Sequence, residues 1–238
     1  MKAFVVVPTF NEHENIGRLI REVLDLGVEG LSVLVVDDNS PDGTHEIVRR
    51  MAKADPRVHL LHRTKRRGRG SAGIEGFKYA MAQGAEVIIE MDADFSHHPK
   101  YIPILLEEVR RCDVVLGSRF VKGGKDMDRG LYRQICTRLA GIYVRSILKI
   151  GIRDVSSGYR CFRSRVLEAL DLDDMISTGP SIVLEVLYKV YLRGFSIREV
   201  PIVFVDRRQG KTKLDYITLL ETLVMVLRLR QMKRKNLI

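Results

Sequence analysis

The first 120 residues alternate short apolar runs with longer segments whose apolar residues recur at helical spacing. This alternation predicts a parallel sheet covered by helices, because consecutive parallel strands are joined through a crossover helix. The predicted strands lie at residues 3–7, 32–37, 57–62, 86–91 and 113–117. The predicted helices begin at about Asn15, at Thr44, at residue 71 and at residue 99. The predicted fold class is therefore α/β with a mostly parallel central sheet flanked by helices.

The pattern changes after Gly117. Residues 119–130 are rich in glycine and charge, which predicts a mobile loop that could close over a ligand. Further helices are predicted at 131–149, 180–193 and about 213–231, and a strand pair around 195–205 is interrupted by Pro201. No linker composition and no internal repeat divides the chain, so we expect one domain.

Composition narrows the class of protein. The 238 residues are 45% hydrophobic, which is typical of a globular protein, and 40 basic against 30 acidic side chains give a formal net charge of +10. Such a charge favours an anionic partner, which can be a nucleic acid, a phosphorylated metabolite or an anionic membrane. The three cysteines are widely spaced and fit a reducing compartment. No apolar stretch reaches the roughly 18–20 residues that span a bilayer, so we expect a soluble or peripheral protein.

Two carboxylates follow the fourth predicted strand. The apolar run at 87–89 leads to Asp92 and Asp94, one residue apart, where the strand gives way to a loop. Ligand sites in open α/β sheets lie at the carboxyl ends of strands, and two anionic oxygens suit a hard divalent cation that also binds substrate phosphates. The pair predicts a metal-dependent enzyme acting on a nucleoside diphosphate compound. Because Asp-x-Asp is also common in solvated loops, the pair alone does not decide between these interpretations.

The first two predicted strands also end in polar residues. Their ends read PTFNE at 8–12 and VDDNSPDGT at 36–44. Both ends should lie beside the two carboxylates, because parallel strands have their carboxyl ends at the same edge of a sheet. Asp42 and Thr44 are favourable helix caps, and capping explains them. Capping does not explain Asp37 and Asp38, which we interpret as hydrogen-bonding to a base or a ribose.

Six short motifs occur in order with the separations of one enzyme family. They are PTFNE at 8–12, VDDNSPDGT at 36–44, MDADFSHHP at 91–99, GSRF at 117–120, SSGYRCFR at 156–163 and FVDRRQGKTKL at 204–214. With these motifs the chain resembles the polyprenyl-phosphate mannosyltransferases, the dolichol-phosphate mannose synthase branch of the family-2 glycosyltransferases. The resemblance covers about residues 3–215 and implies a GT-A fold. We expect a single GT-A domain over 1–238, with about 1–212 catalytic and 213–238 forming an amphipathic helix and a basic tail.

The resemblance implies an inverting, metal-dependent reaction. Such enzymes transfer mannose from GDP-mannose to dolichyl or another polyprenyl phosphate with Mg²⁺ or Mn²⁺, and the product serves glycan assembly. A polyprenyl phosphate is already an anion at neutral pH, so as a nucleophile it needs no general base. The reaction instead needs relief of the repulsion between two phosphate-bearing substrates, which arginines and a metal ion supply.

The resemblance also implies which residues form the site. The guanosine pocket would be lined by Pro8, Phe10, Glu12, Val36 and Asp38. The metal would be held against the diphosphate by Asp92 and Asp94, with Ala93 beside it. The donor phosphates or the acceptor phosphate would be bound by Arg119, Arg207 and Lys213. Asp94 and Arg119 would therefore act at the reacting groups.

A second set of residues lies further along the chain. Arg133 and Thr137 are four apart on a predicted helix, at the place where the family meets the lipid phosphate, so Arg133 would also act in catalysis. A solvated arginine and a helix-packing threonine are the alternative. Asp154 and Arg160 flank a Ser-Ser-Gly turn and either pair with each other or contact substrate.

Two motifs leave alternatives open. Segment 63–70 combines basic side chains with glycines before a predicted helix, so it could bind phosphate, bind RNA or form surface charge. This chain has Gly68-Arg69-Gly70 where the family usually carries Gly-Leu-Gly, which leaves the role of the arginine open. The pair His97-His98 suggests zinc, but neighbouring histidines point in different directions, and we interpret the pair with Pro99 as shaping a helix start.

The C-terminal segment predicts a membrane contact. Residues 214–227 carry apolar side chains at helical spacing and basic residues follow at 228–235, which fits a helix on an anionic membrane surface. A helix packed on the sheet is the alternative. A lipid acceptor would require the protein to dock peripherally at the cytoplasmic face of the membrane or to use a small membrane-anchoring subunit.

Other functions remain as alternatives. The same fold and acceptor could use UDP-glucose or another donor in place of GDP-mannose. A non-catalytic nucleic-acid-binding protein is permitted by the charge, and it predicts steeply salt-dependent RNA or DNA binding. The motifs favour the enzyme, so no nucleic acid is expected as a partner.

Overall fold

A computed structural model describes residues 1–65, 68–128, 130–177, 179–205 and 216–235, without the side chains of 216–220. The strands are β1 (Ala3–Thr9), β2 (Leu31–Asp37), β3 (Val58–His62), β4 (Val87–Glu90), β5 (Val114–Ser118), β6 (Lys125–Met127), β7 (Arg160–Arg163), β8 (Ile197–Pro201) and β9 (Val203–Val205). The helices are α1 (His13–Leu24), α2 (Thr44–Ala54), α3 (Arg69–Ala82), α4 (Ile102–Glu108), α5 (Leu131–Leu148), α6 (Ser164–Glu168), α7 (Ile182–Leu192) and α8 (Tyr216–Arg234). A 3₁₀ turn at Pro99–Tyr101 precedes α4.

Within the described residues, seven strands form one sheet in the order β3-β2-β1-β4-β7-β5-β8. Strand β7 runs antiparallel to both of its neighbours, and the other pairings are parallel, so the sheet is mostly parallel as predicted. Asp113, just before β5, ties this strand to the start of β8. Its carboxylate accepts hydrogen bonds from the Ser196 backbone N–H at 2.9 Å and from the Ser196 hydroxyl at 2.6 Å.

Helices cover both faces of the sheet, which explains why its strands are continuous apolar runs. Phe4 and Val6 of β1 pack on the side of α3 and α7, whereas Val5 and Val7 pack on the side of α1 and α4. Helix α3 approaches the sheet closely at Gly76. A Cβ atom at this position would lie 2.4 Å from Val6 Cγ1, so the approach requires glycine.

The structure corrects the sequence prediction in two places. The segment 119–130 is not only a loop, because β6 lies within it and pairs in parallel with β9 as a separate two-stranded sheet. The predicted strand pair around 195–205 is therefore divided between two sheets. Strand β7 was not predicted, since two of its four residues are arginines and a helix or strand pattern is not visible there.

Helix α8 packs against α5, and Met225, Val226 and Leu229 are buried in the core. The described part of the C-terminal segment therefore packs on another helix, which differs from the alternative of a helix packed on the sheet. In the part of the chain that the structure describes, we find no helix long and apolar enough to cross a membrane.

Candidate functional site

The carboxyl ends of β1, β2 and β4 lie at one edge of the sheet. Thr9 is in register with Asp37, and the Asp38 backbone N–H donates to the Thr9 carbonyl at 3.0 Å. Val6 is in register with Glu90, and the chain then continues to the Asp92 loop. The parallel register therefore brings the polar loops that follow β1, β2 and β4 to the same edge of the sheet.

The second strand ends in two carboxylates with different partners. Asp37 is fully buried and accepts hydrogen bonds from the Ser40 backbone N–H at 2.9 Å and the Ser40 hydroxyl at 2.5 Å. Asp38 accepts from Arg63 Nη1 at 2.5 Å and from the Gly68 backbone N–H at 2.6 Å. Burial raises the pKa of Asp38, although the Gly68 hydrogen bond and the Arg63 charge act against that rise. Asp37 thus holds a turn, and the contact of Asp38 with a base or ribose stays a prediction.

The turn after β2 connects the starts of two helices. Asp42 accepts hydrogen bonds from the Thr44 backbone N–H at 3.0 Å and the Thr44 hydroxyl at 2.6 Å. It also accepts from the His13 backbone N–H at 3.0 Å, and the Thr44 hydroxyl accepts from the Glu12 backbone N–H at 3.0 Å. Asp42 and Thr44 therefore satisfy backbone donors at helix starts, as the capping interpretation expected.

The residues assigned to the guanosine pocket and its surroundings lie around these strand ends. Pro8 is half-buried in β1, and Phe10 and Glu12 follow it, with Glu12 accepting a hydrogen bond from the Asn15 side-chain amide at 2.8 Å. The Val36 side chain is fully buried on the face of the sheet that α3 covers. Its backbone is in register with Pro8 of β1 and Leu61 of β3, and a contact between Val36 and a base stays a prediction.

The Asp92 loop carries a cation from another element. Arg69 Nη2 lies 2.6 Å and Arg69 Nε 3.2 Å from Asp92 Oδ1. Asp94 Oδ1 accepts from the Ser96 backbone N–H at 3.1 Å and the Ser96 hydroxyl at 2.6 Å. Ala93, the residue between the two aspartates, is buried. These are hard oxygen donors, which Mg²⁺ and Mn²⁺ prefer, and a guanidinium already lies against one of them. The residues fit a divalent cation.

His97 is hydrogen-bonded to the backbone of the same loop. Its Nδ1 accepts a hydrogen bond from the Asp92 backbone N–H at 3.1 Å, and its ring stacks on Tyr159 with centroids 5.1 Å apart. Burial lowers the pKa of His97, which keeps the imidazole neutral and consistent with this acceptor role. His98 accepts from the Lys100 backbone N–H at 3.2 Å and caps the 3₁₀ turn, as the helix-start interpretation expected.

Arg119 follows β5 and is held by a buried ion pair. Its Nε and Nη2 lie 2.8 and 2.7 Å from Asp154 carboxylate oxygens, and its backbone N–H donates to the same carboxylate at 3.0 Å. The Ser156 hydroxyl is a further acceptor at 2.7 Å. Burial alone would raise the pKa of Asp154, but the hydrogen bonds and charge of Arg119 lower it overall. Of the two alternatives for Asp154 and Arg160, the pairing with each other is wrong, since Asp154 binds Arg119 and Arg160 donates to the backbone carbonyls of Ser157 and Val183.

Arg133 and Thr137 lie on the same face of α5. The Thr137 hydroxyl donates to the Arg133 carbonyl at 2.9 Å. The same helix exposes an apolar stripe of Leu131, Ile135 and Leu139, which are 73%, 47% and 60% exposed. Arg207 and Lys213 lie outside the described residues.

Sequence reasoning missed the partners that hold the site. Arg63 is buried between Asp38 and Glu75, and Arg69 lies against Asp92, so neither is simple surface charge. One signal in the sequence could have found them. The basic segment 63–70 follows a predicted strand and precedes a predicted helix, so it lies at the same sheet edge as the acidic loops. Which arginine meets which carboxylate is not visible in the sequence.

A second group of ligand atoms lies beside the end of β2. Within the described residues, Asp37, His45 and His62 bring ligand atoms within 4.8 Å of one another. The two imidazole rings are stacked, with centroids 4.3 Å and planes 11° apart. A nitrogen lone pair lies in the plane of its ring, so the rings would have to turn apart before both could bind one ion. Asp37 is also held by Ser40, as Asp94 is held by Ser96, so the stacking of the two rings is what makes this group fit a metal less well than the Asp92 loop.

Comparison with known proteins identifies the family. Residues 4–171 match the sequence model of Glycosyl transferase family 2. The chain is 40% identical to undecaprenyl-phosphate mannosyltransferase of Micrococcus luteus, over 90% of this chain and 88% of that protein. It is 38% identical to polyprenol monophosphomannose synthase of Mycolicibacterium smegmatis, over 90% and 81%. It is 37% identical to dolichol-phosphate mannosyltransferase of Pyrococcus furiosus, over 96% and 64%.

Solved structures agree with this assignment at the level of the fold. Glucosyl-3-phosphoglycerate synthase of Mycobacterium tuberculosis, solved with Mn²⁺, UDP and glucosyl-3-phosphoglycerate, superposes with a TM-score of 0.69 at 20% identity, covering 96% of this chain and 79% of that one. This likeness supports a GT-A-like architecture for the chain. The chain belongs to glycosyl transferase family 2 and is a glycosyltransferase of GT-A-like fold.

Proposed function

We propose that this glycosyltransferase transfers mannose from GDP-mannose to dolichyl or another polyprenyl phosphate, with inversion at the anomeric carbon. The observation that carries the proposal is the set of relatives at 37–40% identity, whose names share mannose and a polyprenyl or dolichol phosphate. Their similarity extends over at least 90% of this chain, so it includes both the sheet edge and α5. UDP-glucose is the second candidate donor, because a protein with the same fold was solved with UDP-glucose.

The site residues have distinct roles in this proposal. Asp92 and Asp94 would hold Mg²⁺ or Mn²⁺, which when bound stabilises the negative charge of the departing nucleoside diphosphate. Asp38, fixed by Arg63 and Gly68, would accept hydrogen bonds from the base or ribose. Arg119 would offer its guanidinium edge to a phosphate while Asp154 keeps it in place.

No proton-transfer residue is needed at the acceptor. The phosphate monoester is an anion at neutral pH, and its oxygen can attack the anomeric carbon directly. His97 is the buried imidazole nearest the carboxylates, and it serves as a hydrogen-bond acceptor for the Asp92 backbone rather than as a base. Arg133 would orient the acceptor phosphate from α5.

The surface of α5 supports a membrane-bound acceptor. Leu131, Ile135 and Leu139 expose an apolar stripe on α5 that would lie against a bilayer. Arg133 lies on another face of the same helix and would reach the phosphate of the polyprenyl chain from there. Basic side chains at the end of α8 add attraction to anionic lipids. We propose peripheral docking at the cytoplasmic face of the membrane, with or without a small membrane-anchoring subunit.

The experiment compares turnover of radiolabelled GDP-mannose by the wild type with that of Asp92→Ala and Asp94→Ala. Both variants should lose transfer to polyprenyl phosphate while their circular dichroism spectra and melting temperatures remain close to those of the wild type. Asp25→Ala is the matched control, because Asp25 caps the far end of α1 and is exposed. Retained turnover in both site variants would refute the assignment of the metal ligands.

A further inference from the structure

Arg69 occupies an unusual position for a basic side chain next to a nucleotide-sugar site. It is the first residue of α3, and its guanidinium contacts Asp92 Oδ1 through both Nη2 and Nε, at 2.6 and 3.2 Å. Its Nη1 lies 3.5 Å from Oε1 of the buried Glu90. One cation therefore serves two carboxylates, one of which is the proposed metal ligand.

The chain makes room for this cation on the opposite side. A Cβ atom at Gly158 would lie 2.7 Å from Arg69 Nη2 and 3.3 Å from His97 Cε1. Gly158 belongs to the Ser-Ser-Gly turn, so a side chain at this position would require the guanidinium to shift from the place it occupies. Three separate segments therefore surround the guanidinium: the start of α3, the Asp92 loop and the Ser-Ser-Gly turn.

A guanidinium and a divalent ion would compete for the negative charge of the same carboxylate. Asp92 Oδ1 can be neutralised by either cation, and two cations placed together at one carboxylate repel each other. A nucleoside diphosphate changes this balance, because its phosphate oxygens add negative charge and accept the parallel hydrogen bonds that a guanidinium makes well. The arginine then has a second partner within the same site.

We propose that Arg69 is the counter-cation of Asp92 in the metal-free enzyme and makes tight metal binding depend on the nucleotide. In the absence of nucleotide Arg69 holds Asp92 and metal binds weakly. When the diphosphate binds, Arg69 moves to its oxygens and Asp92 becomes available to the metal. The inference rests on the proposed function, since it takes Asp92 as a metal ligand, and it makes Arg69 a positioning residue rather than a catalytic one.

The test measures free Mn²⁺ by electron paramagnetic resonance during titration of the protein, with and without GDP. Arg69→Met should bind Mn²⁺ about tenfold more tightly than the wild type when GDP is absent. The factor by which GDP strengthens Mn²⁺ binding should fall by a similar amount, because linkage makes the two effects reciprocal. Arg69→Lys keeps the charge but not the fork of donors, so without GDP its Mn²⁺ affinity should lie between those of the wild type and Arg69→Met.

Two further variants separate charge from position. Arg57→Met removes one exposed positive charge far from the sheet edge and should leave Mn²⁺ binding unchanged. Gly158→Ala keeps every charge but displaces the Arg69 guanidinium, so it should shift Mn²⁺ affinity in the same direction as Arg69→Met. It also provides the test if Arg69→Met does not fold. Equal Mn²⁺ affinity in the wild type, Arg69→Met and Gly158→Ala without GDP would overturn the inference.

A double variant distinguishes this failure from failure of the proposed function. Adding Asp92→Ala to Arg69→Met should abolish the gain in Mn²⁺ affinity. If the double variant binds Mn²⁺ as tightly as Arg69→Met alone, the ion is not at Asp92, and the proposed metal site is then refuted together with the role of Arg69. If Asp92→Ala weakens Mn²⁺ binding in the presence of GDP but Arg69→Met changes nothing, only the role of Arg69 is refuted.

Discussion

The buried ion pair of Arg119 and Asp154 should contribute strongly to the free energy of unfolding. The side chains are 7% and 0% exposed, and Asp154 receives hydrogen bonds from Arg119 Nε, Nη2 and the backbone N–H. In Asp154→Ala the guanidinium loses both of its contacts with the carboxylate, and the Arg119 backbone N–H loses a third. The contact with the Ser156 hydroxyl and the packing over the Phe120 and Phe204 rings remain. Removing one partner of a buried ion pair costs about 3–5 kcal/mol. We expect the free energy of unfolding to fall by about this amount.

The assay is equilibrium unfolding in urea at pH 7, followed by circular dichroism. Asp154→Asn retains an acceptor oxygen and should lose about half as much as the alanine variant, in line with roughly 1.5–3 kcal/mol for hydrogen bonds to a charged group. The double variant Arg119→Leu/Asp154→Leu should recover most of the loss, since apolar replacement of both charges is often neutral.

The matched control is Asp55→Ala, which breaks an exposed ion pair with Arg57 and should change stability far less. If Asp154→Ala lost no more stability than Asp55→Ala, the pair would be accessible to water, and the description of Arg119 as a rigidly held phosphate ligand would be refuted.

Three further predictions concern stability, packing and membrane binding. Hydrogen bonds lower the pKa of Asp113 to about 2. The stabilisation by Asp113 is therefore complete above its unfolded pKa of about 3.9 and is lost as the pH falls towards 2. Asp113→Asn should flatten the fall in the urea midpoint between about pH 5 and pH 3, and an unchanged slope would contradict this. Gly76→Ala would bring a methyl group against Val6 and should lower the free energy of unfolding by about 1–3 kcal/mol, whereas a more stable variant would show that α3 can move away from the sheet. Leu139→Glu should weaken binding to anionic vesicles by about tenfold or more, because burying a leucine contributes about 1.5–3 kcal/mol. Ile104→Glu is the control, since Ile104 is also apolar and is 43% exposed against 60% for Leu139, and it should leave vesicle binding unchanged. Equal losses in the two variants would argue against α5 as the contact.

The sequence predicts most of the sheet because its strands are buried on both faces. Residues 3–7 and 33–36 are unbroken apolar runs, and such runs need no long-range information to be recognised. Strand β7 escapes this rule. Its Arg160 is buried by donating hydrogen bonds to the backbone carbonyls of Ser157 and Val183, so a charged side chain lies where the pattern expects an apolar one.

Strand β6 was missed for a different reason. Its three residues, Lys125–Met127, carry no alternating apolar pattern and pair with β9, which lies almost 80 residues later. Pairing over such a separation depends on the tertiary fold rather than on local preference. Its position explains why a segment rich in glycine and charge still forms ordered structure.

The site could be predicted in its acidic half but not in its basic half. Strand ends place Asp38, Asp92 and Asp94 at one edge because parallel strands share a direction. The arginines that neutralise them come from other parts of the chain, and the sequence pattern does not specify which carboxylate each one meets. Arg69 shows this most clearly, since its guanidinium contacts Asp92 and also lies against Gly158, which is far away in the sequence.

The measurement that tests the central claim most directly is transfer of radiolabel from GDP-mannose to polyprenyl phosphate, with product recovered in the organic phase. The reaction is run with Mg²⁺, with Mn²⁺ and with a chelator, and in parallel with labelled UDP-glucose. We predict metal-dependent transfer of mannose and no comparable transfer of glucose. Transfer from UDP-glucose alone would contradict the proposed donor, and no transfer from either donor in the presence of membrane and metal would contradict the proposed reaction.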